Sequence, residues 1–225
     1  MHFGVLFATT ALIFSVLIFA PKIKSGSQVD KFIRYSAVVL ILTLEFIFIV
    51  MRIRTEINRA YLLPLELCTI AAYFLCYLLL SYNKELFKIV YFWVIVGVFL
   101  TLFFPIISDS VTDFRFWHYF VVHIAMLVMA IYLYMVERDE LTFKDSTISW
   151  LINLGILLVI VVPVNLIFDT NFMFIMDLPT VFANIFSWTG RIVPVIWVIF
   201  IILLYNALYP LTWLLSKFRD RMYSA

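Results

Sequence analysis

The stretch Tyr61-Leu62-Leu63-Pro64-Leu65-Glu66-Leu67-Cys68 opens an apolar segment that runs on to about Leu80. Such a segment is long enough to cross a bilayer as a helix, which takes about 20 predominantly apolar residues. A proline, a carboxylate and a thiol lie close together at its start, where an ionised carboxylate at membrane depth costs roughly 2.5–3.5 kcal/mol. Two interpretations stay open: a functional site at this depth, or a Glu66 near the headgroups beside a Cys68 that only packs.

The composition identifies the class of protein. Of the 225 residues, 65% are hydrophobic and 13% are charged, whereas a soluble domain has about 25% charged residues. The chain is therefore expected to be an all-α, polytopic membrane helix bundle, with residues 1–225 forming a single integral membrane domain. The net charge of +2 and the scattered basic residues give no basic patch for nucleic acid.

Hydropathy predicts seven spans of the length that a bilayer requires, joined by short links except at residues 169–189. The predicted spans are residues 3–20, 34–53, 60–81, 87–107, 116–136, 148–168 and 190–214. With the N-terminus outside and the C-terminus inside, 11 of the 16 lysines and arginines fall in the inner links. This bias follows the positive-inside rule and predicts a multi-pass protein of the plasma membrane in that orientation.

Polar residues from four of these spans are predicted to lie at a similar depth. At ~1.5 Å per helical residue, Cys68 and Glu45 lie ~12 Å below the outer ends of their spans, and His123 lies ~10 Å below the outer end of its span. Glu66 is two residues above Cys68, and Asn165 is a few residues from the outer end of the sixth span. The pattern predicts one polar layer in the outer half of the membrane.

A thiol and an imidazole at one depth suggest a nucleophile and its base. Cys68 would attack as the thiolate, His123 would take its proton, and Glu66 or Glu45 would orient the imidazole. Asn165 or a backbone N–H would stabilise the oxyanion. This arrangement predicts acyl transfer through a thioester, or ester hydrolysis, with membrane lipids as substrate and no cofactor. The oligomeric state stays open.

Other interpretations of the same residues remain. A lone membrane histidine is commonly a packing residue, a lone cysteine commonly a small hydrophobe, and Glu45 and Glu66 would also suit a protein that binds or transports small molecules or ions. His118 and His123 are five residues apart, about 140° round a helix. No metal site is therefore predicted, and His118 is expected at the membrane interface.

The link at residues 169–189 is too apolar for a free aqueous loop. Pro64, Pro163 and Pro194 break helices near the same depth, and irregular backbone within a membrane is tolerated where it lines a cavity or is buried in protein. The link is expected to form an interfacial or re-entrant lid over the polar layer, or a short amphipathic helix on the membrane surface.

Three blocks of sequence carry a family resemblance. Leu63-Pro64-Leu65-Glu66-Leu67-Cys68 resembles the LPLHLC motif of the YwaF-like integral membrane proteins. The segment from Phe114 to His123 is similar to the aromatic block of that family, which ends in His. Val164-Asn165 and Thr170-Asn171-Phe172-Met173-Phe174 resemble its third block. The order and spacing agree from about residue 60 to residue 215.

The resemblance implies acyl chemistry. Eukaryotic relatives of the YwaF-like proteins look like multi-pass phospholipid acyltransferases with a catalytic Cys and His, which correspond to Cys68 and His123 here. The chain departs from the pattern at Glu66, where the family usually has His, and at Leu178, where a Lys is expected. Candidate substrate contacts are polar residues of these blocks and of the polar layer: Glu45, Asn165, Asn171, Tyr119 and Arg115.

Overall fold

The computed structural model describes residues 2–107, 109–186 and 192–224. The regular structure within these ranges is helical, and 7 helices are long and apolar enough to cross a membrane. The predicted all-α, polytopic membrane bundle is thereby confirmed. Residues 190 and 191, where the seventh span was predicted to begin, lie outside the described residues.

The helices are numbered in chain order. Their bounds are α1 His2–Phe19, α2 Gln28–Thr55, α3 Leu67–Leu80, α4 Lys84–Phe103, α5 Phe114–Glu137, α6 Phe143–Ile156, α7 Val162–Phe168, α8 Thr180–Ile185 and α9 Val193–Ser224. Capping side chains explain where several of them begin. The Asp30 backbone N–H donates to the Ser27 hydroxyl, and the Leu86 N–H donates to the Asn83 side chain, so polar residues start these helices before the apolar run begins.

The third predicted span is divided by its proline. A single helical turn covers Arg59–Leu62, and α3 begins only at Leu67. Pro64 lies in the irregular segment between them, because a proline has no N–H to continue a helix and disfavours helical backbone at the residue before it. Cys68 therefore lies in the first turn of α3 and not in the middle of a continuous helix.

The sixth span is continuous but changes pitch. A π-helical turn, Leu157–Val161, joins α6 to α7. The turn ends two residues before Pro163, which cannot donate a backbone hydrogen bond to the helix. π-helical turns commonly accommodate such an irregularity. The span ends at Asp169, which has left-handed backbone with φ 52°. The apolar link at residues 169–189 begins at this point.

The bundle is organised around α4 and α5. Within the apolar stretch of each membrane helix, 67% of the α4 residues and 61% of the α5 residues are buried, compared with 17–33% in the other spans. α4 packs against α3, α5 and α6, and α5 packs against α1 and α2. The outer helices leave large apolar side chains such as Phe7 and Phe32 exposed, as expected of a surface covered by lipid.

An ionic cluster joins α2 and α5 at one end of the bundle. The Arg34 Nε atom donates to Asp30 at 2.8 Å, and Arg34 also forms an ion pair with Glu137. Asp30 accepts two further hydrogen bonds, from the Tyr132 hydroxyl and the Gly26 backbone N–H. The charges of Asp30 and Arg34 are thus compensated inside the protein, although both residues are buried.

Candidate functional site

Two adjoining cavities lie between the helices near the start of α3. The larger, here called the polar chamber, has a volume of about 810 Å³, which is within the usual range for ligand pockets. It lies among α2, α3 and α5 and the end of α4. Its polar and charged lining residues are Glu45, Arg52, Thr55, Glu56, Tyr61, Glu66, Cys68, Thr69, Thr101, Arg115, His118, Tyr119 and His123.

The second cavity, here called the apolar chamber, is lined mainly by large apolar side chains. These include Leu100, Phe104, Leu154, Leu157, Phe182, Trp197 and Ile201. Cys68, Glu66, Thr101 and Tyr119 line both chambers. Cys68 is therefore at the boundary between a polar and an apolar space.

The thiol of Cys68 is held against α4. Its Sγ atom lies 3.9 Å from the Thr101 hydroxyl oxygen, and that hydroxyl donates to the Gly97 carbonyl oxygen at 2.8 Å. Because the Thr101 hydrogen is already committed to Gly97, the thiol is the donor in the weak contact with Thr101. A Cβ atom at position 97 would lie 2.9 Å from Sγ, so only glycine allows the thiol this position.

Gly97→Ala is expected to reduce the activity proposed below by about tenfold to a hundredfold while the protein stays folded, because displacement of a reacting group by ~1 Å can have effects of that size. The thiol can rotate away from the new methyl group, which limits the loss of stability. Turnover and thermal unfolding of the purified variant would be measured together. Gly155→Ala is the control, since a Cβ atom there meets nothing within 4 Å. Equal turnover in the two variants would contradict this role of Gly97.

His123 has a defined tautomer. Its Nδ1 atom lies 2.5 Å from the Tyr119 carbonyl oxygen, and a carbonyl oxygen can only accept, so Nδ1 carries the hydrogen. In the neutral ring, Nε2 is then the atom with the lone pair. His123 lines the polar chamber together with Cys68. The structure thus brings the predicted nucleophile and base to one cavity, each hydrogen-bonded to a different partner.

Glu45 is paired with a histidine other than the predicted one. Its carboxylate is 2.9 Å from His118 Nε2, and both residues are buried. The His118 ring is stacked on Phe48, with ring centroids 4.2 Å apart. The expectation of an interfacial His118 did not include this buried pairing with Glu45. Because His118 and His123 are about 140° apart around α5, His118 faces α2 and contacts Glu45 there. Both histidines nevertheless line the polar chamber.

Glu66 holds the link that follows α7. Its carboxylate accepts a hydrogen bond of 2.9 Å from the Met173 backbone N–H. Glu66 and Glu45 were expected to orient His123, but their carboxylates contact the Met173 N–H and His118 instead. The described contact of His123 Nδ1 is with the Tyr119 carbonyl oxygen. Glu66 instead connects the start of α3 to residues 169–179, here called the strap.

Two asparagines shape the strap. Asn165 Oδ1 accepts from the Thr170 hydroxyl at 2.8 Å and from the Phe172 N–H at 2.9 Å, and its amide nitrogen donates to the Phe172 carbonyl. Asn171 Oδ1 accepts from the backbone N–H groups of Met176 and Asp177. Both amides are used in building the strap, and neither residue is among the described residues lining the chambers. Their predicted contacts with substrate or oxyanion are therefore not supported by the geometry.

The strap covers the chambers with irregular backbone. Met173 and Phe174 both have left-handed backbone, with φ 57° and 54°, which is uncommon for residues other than glycine. The Trp197 indole donates to the Met173 carbonyl oxygen at 3.2 Å. Met173 and Phe174 line the apolar chamber. The described part of the 169–189 link thus consists of the structured strap and, after it, the short helix α8.

Arg115 and Tyr119 also line the polar chamber. Arg115 is largely exposed and lies 3.7 Å from Asp109. The Tyr119 hydroxyl is 3.4 Å from both the Thr101 carbonyl oxygen and the Ile106 backbone nitrogen. Both predicted contact residues therefore have access to the chamber, Arg115 at its exposed side and Tyr119 beside Cys68.

The sequence reasoning missed Gly97, Thr101 and the partnership of His118 with Glu45. Gly97 and Thr101 are four residues apart, so they lie on one face of a helix. A small residue and a hydroxyl on one face of an otherwise bulky span are a signal that could have been read. The pairing of His118 with Glu45 depends on helix rotation, for which the sequence carries no comparable signal.

Comparison with known proteins adds the family. No curated protein and no solved structure matches the chain. The model of the TMEM164 family matches residues 1–215. This match covers nearly the whole chain and includes residues of all seven apolar helices. The chain is a multi-pass membrane protein that belongs to the TMEM164 family.

Proposed function

We propose that this protein is a membrane-embedded enzyme that cleaves an acyl lipid ester through Cys68 and passes the acyl group to a hydroxyl acceptor. The observation that carries the proposal is the position of Cys68, which lines a polar chamber together with His123 and an apolar chamber together with large hydrophobic side chains. An ester at Cys68 would have its headgroup side in the polar chamber and the first carbons of its acyl chain in the apolar chamber, whose volume is about 150 Å³.

In the first half-reaction, His123 Nε2 takes the proton of the Cys68 thiol. The thiolate attacks the ester carbonyl carbon and forms the S–C bond. The resulting oxyanion collapses, the C–O bond to the donor lipid breaks, and His123 returns the proton to the departing oxygen. The products are an acyl-thioester on Cys68 and a lipid with a free hydroxyl, so atoms and charges balance.

The start of α3 supplies donors for the oxyanion. The first N–H groups of a helix have no partner within the helix, and Glu66, the residue before α3, makes no side-chain cap. The N–H groups of Leu67, Cys68 and Thr69 belong to this turn. Donors of this kind, beside a helix N-terminus, stabilise developing negative charge. A backbone site is therefore preferred over Asn165, whose amide is already bonded.

The finer assignment rests on resemblance together with this geometry. We propose that the chain shares the acyl chemistry implied by its resemblance to the YwaF-like proteins and their acyltransferase relatives, and that it works in the plasma membrane. The substrates are then membrane lipids, and water is the alternative acceptor, which would make the protein a lipid esterase. In support, the apolar chamber offers aromatic and aliphatic surface to an acyl chain.

His123→Asn is expected to reduce acyl turnover by about 10²-fold or more, the usual contribution of a general base. The assay uses purified protein in nanodiscs with a donor phospholipid labelled in its acyl chain, and follows label in product lipid and in free fatty acid. Tyr77→Asn is the control, because Tyr77 is exposed on α3 and is not among the described residues that line either chamber. Full turnover in His123→Asn, or none in the wild type over a panel of donor lipids, would contradict the proposal.

The second candidate, binding or transport of a small molecule or ion, depends on Glu45 and Glu66. Both carboxylates line the polar chamber but are engaged, Glu45 by His118 and Glu66 by the Met173 N–H. This engagement favours the enzyme. Uptake into proteoliposomes that is lost in Glu45→Gln and kept in Cys68→Ala would favour transport instead.

A further inference from the structure

The buried pair of Glu45 and His118 has no part in the first half-reaction. The carboxylate accepts from His118 Nε2 at 2.9 Å, so the lone pair of the neutral ring is on Nδ1. Phe48 is stacked on the ring and fixes its plane. A histidine that a carboxylate orients through one ring nitrogen, with a lone pair on the other, is the arrangement of a general base.

The location of the pair argues for a role beyond packing. Both residues line the polar chamber that also holds Cys68 and His123. The imidazole therefore lies beside the space of about 810 Å³ in which the proposed reaction takes place. The other ionisable groups that line this chamber, besides Cys68 and His123, are Arg52, Glu56, Tyr61, Glu66, Arg115 and Tyr119.

The second half-reaction needs a proton acceptor close to the acceptor hydroxyl. His123 is neutral again after the first half-reaction and can serve a hydroxyl that enters where the donor oxygen left, whereas a hydroxyl that enters beside α2 meets His118. With the first carbons of the acyl chain in the apolar chamber, the acceptor hydroxyl must approach the thioester from the polar chamber. Among the described residues, His118 Nδ1 is the histidine nitrogen of this chamber that the first half-reaction leaves unused.

We propose that His118, oriented by Glu45, is a second catalytic base that activates the acceptor hydroxyl; this rests on the proposed function. His118 Nδ1 takes the proton of the acceptor, and its oxygen attacks the thioester carbonyl carbon. The new C–O bond forms, the C–S bond breaks, and Cys68 leaves as the thiolate. The proton on His118 then passes to the thiolate, which restores the resting enzyme. The acceptor class is a lipid with a free hydroxyl, with water as the competing source.

The test separates the two half-reactions. p-Nitrophenyl palmitate is the donor, because its leaving group departs without a proton and its release reports acylation of Cys68. A glycerolipid with one acyl chain and one free hydroxyl is the acceptor probe, and free palmitate reports transfer to water. His118→Asn and Glu45→Gln are expected to release the first equivalent of p-nitrophenol at the wild-type rate, to transfer about 10²-fold more slowly, and to accumulate acylated Cys68. Glu45→Gln removes the charge while its amide oxygen can still accept from His118.

Each outcome decides the proposal. Accumulated acyl-enzyme in both variants, with slow transfer to lipid and to water, supports it. A first-turnover release rate and a transfer rate that fall by the same factor would show a structural pair and overturn the proposal. This holds for His118→Asn, or for Glu45→Gln if only that variant folds. Unchanged transfer in Glu45→Gln would also overturn it. The failure of the proposed function is distinct: the wild type would then release no p-nitrophenol, or Cys68→Ala would release it as fast as the wild type.

Discussion

Cys68→Ala is expected to abolish acyl turnover, with a loss of at least about 10³-fold, because the nucleophile forms the only covalent bond to the acyl group. The substitution removes one sulfur atom and leaves the start of α3, the strap and both chambers otherwise unchanged. Folding should therefore survive. Turnover of the labelled donor phospholipid in nanodiscs, together with the thermal unfolding of the variant, measures both expectations.

Cys76→Ala provides a matched control on the same helix. Cys76 is 3% exposed and belongs to the hydrophobic core, and it is not among the described residues that line either chamber. Its replacement removes the same atoms, so a modest loss of stability with nearly full turnover is expected. Equal losses of turnover in the two variants would mean that Cys68 acts through packing, against the proposed chemistry.

Arg34→Met is expected to lower the free energy of unfolding by about 3 kcal/mol or more, since removal of one partner from a buried ion pair leaves an uncompensated charge. Arg34 binds two carboxylates, Asp30 and Glu137. Tyr132 and the Gly26 N–H still donate to Asp30 and will limit the loss. The unfolding of detergent-solubilised protein, followed against a denaturing detergent, gives the comparison.

Arg54→Met tests whether charge removal alone has this effect. Arg54 is exposed in the last turn of the same helix, so its replacement should change the free energy of unfolding by no more than about 0.5 kcal/mol. Similar values for the two variants would contradict the importance of the cluster. A partial recovery in Arg34→Lys is expected, because lysine restores the charge but not both directed hydrogen bonds.

Hydropathy was sufficient to predict the seven membrane helices but not their ends. α2 begins at Gln28 and not at residue 34, because the Ser27 cap and the ionic cluster draw Asp30 and Arg34 into the helix. α9 continues to Ser224 beyond the apolar run. Hydropathy averaged over a stretch of sequence assigns such charged residues to loops. In the structure, the charged residues at the start of α2 are paired within the bundle, and those at the end of α9 lie in helix beyond its apolar part.

The depth of the site residues could be predicted from the sequence, but the rotation of their helices could not. The predicted common depth of Glu45, Glu66, Cys68 and His123 agrees with a structure in which all four line the polar chamber. Their hydrogen-bond partners depend on how each helix is rotated, which depth does not fix. Glu45 consequently pairs with His118. Asn165, which was predicted at a similar depth, is hydrogen-bonded to the strap and is not among the described residues that line the chamber.

The intact mass of the purified protein tests the central claim most directly. After incubation with donor phospholipid, and with His118→Asn to slow deacylation, a mass increase equal to one acyl group is expected. Hydroxylamine should remove it, as it cleaves thioesters, and Cys68→Ala should never acquire it. An acyl adduct that persists in Cys68→Ala, or labelled product formed at the wild-type rate by that variant, would contradict a thioester at Cys68.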